Sequence, residues 1–230
     1  MKFIIIGLGN FGSSLAVRLT SLGHEVIGID AKKEKVEIYK DVVTQTICLD
    51  STNEQALSTL PLKECDYAIV AIGEDFGASV MVTALLKQAG VKKIVSRAIN
   101  PLHHKVIEAL GVDLILHPEY DAASRFADSI LFSGLSNSFD VTDEYKIIEV
   151  RLPDRYDGML LSEVDFTNRH SLLVLTIIKT EETKSIFGHT QIKKKSLGLP
   201  SANQRLQLGD QIVLFGKLKD IEKLLEKTDA

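Results

Sequence analysis

The chain up to about residue 131 alternates short apolar runs with longer segments in which apolar residues recur every three or four positions. The short runs, rich in Ile and Val, predict β-strands, and the longer segments predict amphipathic helices. The helical pattern is clearest where Leu15, Leu19 and Leu22 repeat, and in a later segment that ends at Gly90, a favoured residue after a helix. The predicted strands are 3–6, 25–29, 43–48, 67–71, 93–96 and 113–116.

Strands that alternate with helices in this way predict an α/β fold, a Rossmann-like doubly wound parallel sheet. Near-continuous apolar strands such as YAIVAI fit this fold, because helices cover both faces of such a sheet. The pattern changes after SILFSGLSNSF, where strands are predicted at 145–152, 172–178 and 211–215 and a helix at 218–226. We therefore predict a Rossmann-like domain over 1–136 and a small α+β domain over 137–230.

One part of the second domain is polar and rich in turn residues, namely TEETKSIFGHTQIKKKSLGLPSANQRLQLGDQ. This composition predicts a loop whose KKK triplet is a solvated face and not a binding patch.

Composition and charge exclude several classes of protein. The chain has 230 residues, 45% of them hydrophobic, which is enough to fill real cores. Its net charge of -4 and pI near 5.9 argue against nucleic acid as a partner, because phosphate-backbone binding needs clustered Lys and Arg. The two cysteines show no CxxC spacing. No run approaches the roughly 20 apolar residues that span a bilayer, so we expect a soluble cytoplasmic protein.

A glycine-rich turn follows the first predicted strand and opens the first predicted helix. Gly7 allows the tight turn, Gly9 the close approach of backbone to a pyrophosphate, and Gly12 the close packing of helix on strand. Asp30 ends the second strand, where a carboxylate accepts both ribose hydroxyls and repels a 2′-phosphate. The pattern indicates an adenosine ligand without a 2′-phosphate. The alternative is a fold of this type that binds nothing.

Other polar residues follow later strands at the same predicted sheet edge, where open α/β sheets bind ligands. Asp50 would face the adenine side, although Asp50 or Thr52 would equally cap the next helix. Arg97 would reach a phosphate or form an interdomain ion pair, and Glu119 is otherwise an exposed glutamate in the first turn of a helix. The residues expected to bind the ligand are Gly7, Gly9, Asn10, Phe11, Gly12, Asp30, Asp50, Ser51, Ile72, Gly73, Arg97 and Glu119.

Signatures of catalysis are missing from the sequence. A dehydrogenase needs a proton donor and a carbonyl-polarising group beside the nicotinamide. None of the 6 histidines has a catalytic spacing, His103 and His104 are expected to be a surface pair at a helix start, and no GxSxG, HExxH or P-loop lysine is present. We predict a binding protein and not an enzyme. The alternatives are a small NAD-dependent oxidoreductase and an NADH redox sensor.

The motifs GLGNFGSSLA, GHEVIGID, VAIGEDFGAS, HHKVIEALGVDLILHPE and DEYKIIEV follow one another in order. With them the chain resembles the Trk/Ktr potassium-uptake regulatory subunits, which carry an RCK domain (regulator of potassium conductance), and it looks most like the KtrA type. The closing stretch LQLGDQIVLFGKLKDIEKL is similar to the end of the family's C-terminal domain, TrkA-C. The resemblance covers nearly the whole chain.

The resemblance implies a non-enzymatic cytoplasmic regulator, peripheral at the inner face of the cell membrane. Such subunits assemble as dimers into a ring, expected to be an octamer, under a membrane-embedded potassium channel or transporter subunit. Binding of ATP or ADP, and in some relatives NAD(H), changes the shape of the ring and the potassium conductance.

The resemblance also implies roles for single residues. The three glycines of the loop would hold phosphates, Asp30 the ribose and Asp50 the adenosine end. Arg97 would contact phosphate, and Glu119 would bind Mg²⁺ or another cation or sense the terminal phosphate.

The chain departs from the family's pattern at three positions. Asn10 stands where KtrA-like chains often have an arginine that reaches a neighbouring subunit's terminal phosphate, and a neutral amide cannot supply that charge. This favours NAD or weaker discrimination between ATP and ADP. Leu49 replaces a glycine of the adenosine loop. Thr167 replaces an arginine of relatives that bind cyclic di-AMP, a candidate second ligand in the C-terminal domain.

Overall fold

The structure is a computed structural model that describes residues 1–131, 135–184 and 190–226. The chain forms two compact units, Met1–Tyr120 and Asp121–Ala230. The boundary expected near residue 137 stays a prediction.

The first unit is built on a parallel sheet. Its strands are β1 (Lys2–Ile6), β2 (Glu25–Asp30), β3 (Gln45–Cys48), β4 (Tyr67–Val70), β5 (Ile94–Arg97) and β6 (Leu114–Leu116). Within this unit, all of whose residues are described, their order is β3-β2-β1-β4-β5-β6. The helices between them are α1 (Asn10–Ser21), α2 (Lys33–Tyr39), α3 (Glu54–Leu57), α4 (Phe76–Gln88) and α5 (Pro101–Ala109), and α6 (Pro118–Leu131) begins in this unit and ends in the second one. The predicted doubly wound Rossmann-like sheet is confirmed.

Strand β1 lies at the centre of this sheet because both of its faces are apolar. Ile4 and Ile6 pack in one cluster with Val82 of α4. Ile5 packs on the other side with Ala16 of α1. Since β1 pairs with β2 on one side and β4 on the other, the glycine turn after β1 lies where the strand order reverses. Open α/β sheets bind their ligands at that point.

The second unit contains an antiparallel sheet. Its strands are β7 (Leu135–Asp140), β8 (Tyr145–Arg151), β9 (Leu173–Lys184), β10 (Thr190–Ser196) and β11 (Gln211–Lys217). Among the described residues their order is β10-β9-β11-β8-β7. A 3₁₀ turn (Asp154–Tyr156) and the helices α7 (Leu161–Val164), α8 (Phe166–His170) and α9 (Leu218–Glu226) complete the described part. The predicted α+β class of this half is confirmed.

The prediction of a loop between the strands predicted at 172–178 and 211–215 is wrong over much of its length. Strand β9 runs on to Lys184, and β10 carries the KKK triplet, while residues 185–189 lie outside the described part of the chain. Lys194 of that triplet donates to Glu149 of β8 at 2.8 Å. Lysines are common on edge strands, where they discourage pairing with other chains, so a polar composition did not distinguish this strand from a loop.

Apolar residues of β8, β11 and α9 form the core of the second unit. Ile148 and Leu214 are almost fully buried, as are Ile221 and Leu224 on one face of α9. Asp210 is also buried, because it accepts hydrogen bonds at 2.7 Å from the Lys179 ammonium and at 2.9 Å from the amide of Gln207. A carboxylate at such a site is stable only with partners of this kind.

Candidate functional site

A cavity of about 870 Å³ opens at the carboxyl ends of the parallel strands of the first unit. Its lining includes residues that end or follow each of the strands β1 to β6. Of the 12 residues expected to bind the ligand, 11 line this cavity, and the exception is Gly12. The structure therefore brings the predicted set together, while ligand binding by these residues stays a prediction.

The three glycines after β1 differ in their surroundings. Gly7 has φ +101°, a conformation that favours glycine, and its amide donates to the Ile29 carbonyl at 2.7 Å. A Cβ on Gly12 would overlap the Gly7 carbonyl oxygen and lie 2.9 Å from the Ala71 side chain. A Cβ on Gly9 would meet nothing within 4 Å. Gly7 thus makes the turn, Gly12 allows α1 to pack closely, and Gly9 leaves space open in the cavity.

Helix α1 begins directly behind Gly9. Its first intrahelical bond runs from the Ser13 amide to the Gly9 carbonyl at 2.9 Å, and Gly9 provides no side-chain cap. The amides of the first helical turn have no intrahelical acceptors. No acidic residue lies in this turn, and Asn10 and Phe11 line the cavity. This end of the cavity therefore suits an anionic group such as a phosphate.

Asp30 connects the glycine turn to the start of α2. One carboxylate oxygen accepts from the Leu8 amide at 2.8 Å and the other accepts from the Lys32 amide at 2.9 Å. The ammonium of Lys35 lies 3.8 Å away, and the Asp30 side chain is only 10% exposed. Each carboxylate oxygen keeps a further acceptor position, so Asp30 can accept ribose hydroxyls while it holds the loop.

Asp50 and Ser51 follow β3, the strand that pairs with β2 and places Cys48 beside Asp30. Asp50 accepts from both the hydroxyl (2.6 Å) and the amide (3.0 Å) of Thr52, and these two bonds lower the pKa of Asp50. The cap of α3 is Asn53, which accepts from the Ala56 amide at 3.0 Å. Capping by Asp50 or Thr52 is therefore wrong. Ser51 is buried, and its hydroxyl has no partner within the described part of the chain.

Arg97 and Glu119 meet at the far side of the cavity. The guanidinium of Arg97 donates to the Glu119 carboxylate, and both residues line the cavity. Both belong to the first unit, so this ion pair lies within one unit. The neighbouring Gly73 and Ile72 follow β4, and Asp75 caps α4 by accepting from the Ala78 amide at 2.9 Å.

The sequence did not single out several residues of the lining. Most lie on α2 or in the first two turns of α4, where the elements were predicted but the facing positions were not. Periodicity gives the apolar face of a helix, and the tilt of that helix over the sheet edge decides which residues reach the cavity. These residues include Lys32, Lys35, Ile38, Tyr39, Ala78 and Val82.

The expected surface pair of His103 and His104 is wrong for His103. His103 is fully buried, accepts from the Ile99 amide at 3.1 Å through Nδ1, and packs against Phe76. Burial lowers the pKa of His103. His104 instead contacts His117, with Nδ1 3.0 Å from Nε2. Among the described residues no group of three or more His, Cys, Asp or Glu could hold a metal ion, and the expected cation at Glu119 stays a prediction.

Comparison with known proteins gives the family. Residues 3–118 match the model of the TrkA-N domain. The chain is 35% identical over 222 residues to Ktr system potassium uptake protein A of Bacillus subtilis (strain 168), covering 96% of this chain and 94% of that protein. This chain belongs to the Trk/Ktr family of potassium-uptake regulatory proteins. Ktr system potassium uptake protein C of the same organism is 31% identical over 222 residues, covering 96% of this chain and 95% of that protein.

Solved structures agree with this fold. The GsuK channel bound to NAD superposes with a TM-score of 0.64 at 14% identity, over 97% of this chain and 38% of that one. At this identity the likeness shows the fold alone, and it extends over both units of this Trk/Ktr family member. Among the described residues no helix is both long and apolar enough to cross a membrane.

Proposed function

We propose that this chain is a nucleotide-binding regulatory subunit of a potassium uptake system. The observation that carries the proposal is the glycine turn, the α1 N-terminus and Asp30 around one cavity, in a chain 35% identical to a Ktr potassium uptake protein over nearly its full length. The cavity of about 870 Å³ lies within the range of roughly 300–1,000 Å³ that is usual for small-molecule sites.

The ligand in this proposal is ATP, ADP or NAD(H). Its phosphates lie against the amides of the first turn of α1, its ribose hydroxyls donate to Asp30, and its adenine lies near Asp50 and Ser51. The apolar side chains of Ile38 and Leu49, both in the lining, suit an adenine ring. The GsuK structure with NAD is an example of such a ligand in a protein of similar fold.

The neutral side chain of Asn10 in the lining bears on the choice among these ligands. It supplies no positive charge for a terminal phosphate, and so it favours NAD(H) or weak discrimination between ATP and ADP. A cation such as Mg²⁺ at Glu119 would offset the carboxylates at this end. Binding of cyclic di-AMP to the second unit is a further proposal. Its only support is that the sequence around Thr167 corresponds in position to the region that binds this ligand in some relatives.

A regulatory role is proposed in preference to an enzymatic one. The cavity's lining residues, all within the described part of the chain, include no His and no Cys. A nucleotide would act by linkage instead: it shifts an assembly toward whichever shape binds it more tightly. The proposed partner is a membrane-embedded potassium channel or transporter subunit, which would place the chain at the inner face of the membrane.

Self-association is part of the proposal. Helix α6 exposes three large apolar side chains, with relative accessibilities of 74% for Tyr120, 67% for Phe126 and 66% for Ile130. Exposed apolar residues on one helix are typical of an interface. They support assembly as dimers within a ring, for which an octamer is the expected size.

The proposal is tested in a bacterium that lacks its own potassium uptake systems and carries a Ktr-type membrane subunit. We expect growth at low potassium to require this chain and to be impaired by Asp30→Ala. Growth that is the same with and without the chain would overturn the proposal. Hydride transfer from NADH to a carbonyl substrate by the purified chain would support an oxidoreductase instead.

A further inference from the structure

The Arg97 side chain is held in place on two sides. It ends β5 and is only 16% exposed, whereas its partner Glu119, the second residue of α6, is 67% exposed. The guanidinium donates to Glu119, and its Nε is buried without a partner among the described residues. The arginine is thus fixed in the cavity wall, while the glutamate is free to move into solvent.

Gly73 makes room for this guanidinium. A Cβ at position 73 would lie 2.7 Å from Cζ of Arg97 and would overlap one of its terminal nitrogens. The φ of Gly73 is outside the left-handed region, so the backbone does not itself require glycine here. Glycine at position 73 therefore leaves the space that the guanidinium of Arg97 occupies.

We propose that Glu119 competes with the phosphate of a bound nucleotide for Arg97. In the ligand-free protein the carboxylate neutralises the guanidinium at the edge of the cavity. A phosphate that approaches Arg97 meets a repulsive carboxylate, and the charge is best satisfied when Glu119 turns away and the phosphate takes its place. Binding of a phosphorylated ligand then frees the carboxylate in the first turn of α6. This inference rests on the proposed nucleotide site and adds the regulation of that site.

Competition predicts opposite effects for the two partners. Glu119→Gln removes the competitor, so ADP should bind more tightly, by up to roughly fivefold, the upper end of the range that corresponds to loss of an exposed ion pair. Arg97→Gln removes the group for which both compete, so ADP should bind more weakly. Neither change should alter the affinity for adenosine, which carries no phosphate. In the double variant the gain from Glu119→Gln should disappear.

The experiment is isothermal titration of the nucleotide-stripped full chain with adenosine, AMP and ADP. Divalent cations are removed with EDTA, so that a cation at Glu119 does not contribute. The control variant is Glu74→Gln, because Glu74 also lines the cavity and loses the same charge. A second variant, Gly73→Ala, should displace the guanidinium and weaken ADP binding without affecting adenosine. Circular dichroism melts confirm that each variant is folded.

Competition for Arg97 and nucleotide binding itself predict different results. Tighter ADP binding in Glu119→Gln alone, abolished by Arg97→Gln, supports competition. An equal gain in Glu74→Gln, or a gain that persists without Arg97, would overturn it, because either result indicates a general charge effect. If the wild-type chain binds neither adenosine nor ADP, the nucleotide site itself is wrong, and the competition fails with it.

Discussion

Replacing Gly12, which does not itself line the cavity, by alanine should destabilise the first unit. The added Cβ would overlap the backbone oxygen of Gly7 and lie 2.9 Å from the Ala71 side chain. A backbone carbonyl in a tight turn cannot rotate away as a side chain can. Helix α1 must therefore move away from the sheet, and this movement separates Ala16 of α1 from Ile5 of β1 in their shared apolar cluster.

The expected loss in the free energy of unfolding follows from this geometry. Overpacking of a well-packed interior typically costs about 1–3 kcal/mol, and an overlap with backbone belongs at the upper end of that range. With a urea m-value of about 2–3 kcal/mol/M for a chain of this size, a cost of about 3 kcal/mol lowers the unfolding midpoint by roughly 1–1.5 M.

Gly9→Ala is the matched control. Nothing lies within 4 Å of the added methyl group, and the φ of Gly9, -70°, suits alanine. Its stability should be unchanged or raised by about 0.4–1 kcal/mol, since alanine reduces the freedom of the unfolded chain. Its affinity for nucleotide should fall, because the methyl group occupies the space left for the phosphates.

The assay is urea unfolding followed by circular dichroism. Hydrogen exchange of peptides from β1 and α1 assigns the effect to the first unit, because the two units need not unfold together. A Gly12→Ala midpoint equal to that of the wild type would refute the packing argument. So would a loss of equal size in Gly9→Ala, because that result would mean that the whole turn requires glycine.

Three further predictions concern stability and binding. Asp210→Ala removes the buried carboxylate that accepts from Lys179 and from the Gln207 amide and should cost about 1.5–3 kcal/mol in urea unfolding, whereas Glu144→Ala, which removes an exposed ion pair with Lys217, should lower stability much less; equal losses would contradict the role of burial. Burial lowers the pKa of His103 in the folded chain, so just below the ordinary histidine pKa of about 6.5 the unfolded chain binds more protons than the folded chain does. Tm should therefore fall as the pH is lowered from about 7.5 to about 5.5. His103→Phe should reduce this fall, and an identical fall would refute the assignment. Asp30→Ala should abolish adenosine binding and also lower stability by about 1–3 kcal/mol, since the Leu8 amide loses its acceptor; unchanged affinity would remove Asp30 from the site.

The parallel sheet could be predicted from the sequence because most of its strands are apolar runs between turns. The second sheet could be predicted only in part. Its strands β8 and β11 have apolar faces in the core, whereas β7 and β10 lie at the edges. On β8, burial alone would raise the pKa of Glu149, but hydrogen bonds from Lys194 and Asn137 outweigh it and lower that pKa. Pairing of this kind between distant residues leaves no periodic signal.

The candidate site was predictable where a chain motif defines it. Gly7, Gly9 and Asp30 follow a known spacing, and the structure places all three in the cavity lining. The contact between Arg97 and Glu119 was not predictable, because it depends on the adjacency of β5 and β6 and on the side chains that face each other there. The burial of His103 was missed for a similar reason, since α4 covers it.

The central claim is that the first unit binds an adenosine nucleotide at the glycine turn. Isothermal titration of the nucleotide-stripped chain with ATP, ADP, NAD⁺ and NADH, each with and without Mg²⁺, tests it most directly. We expect saturable binding of at least one of these ligands to the wild type and its loss in Asp30→Ala. Binding of none of the four, or binding that Asp30→Ala leaves unchanged, would contradict the account.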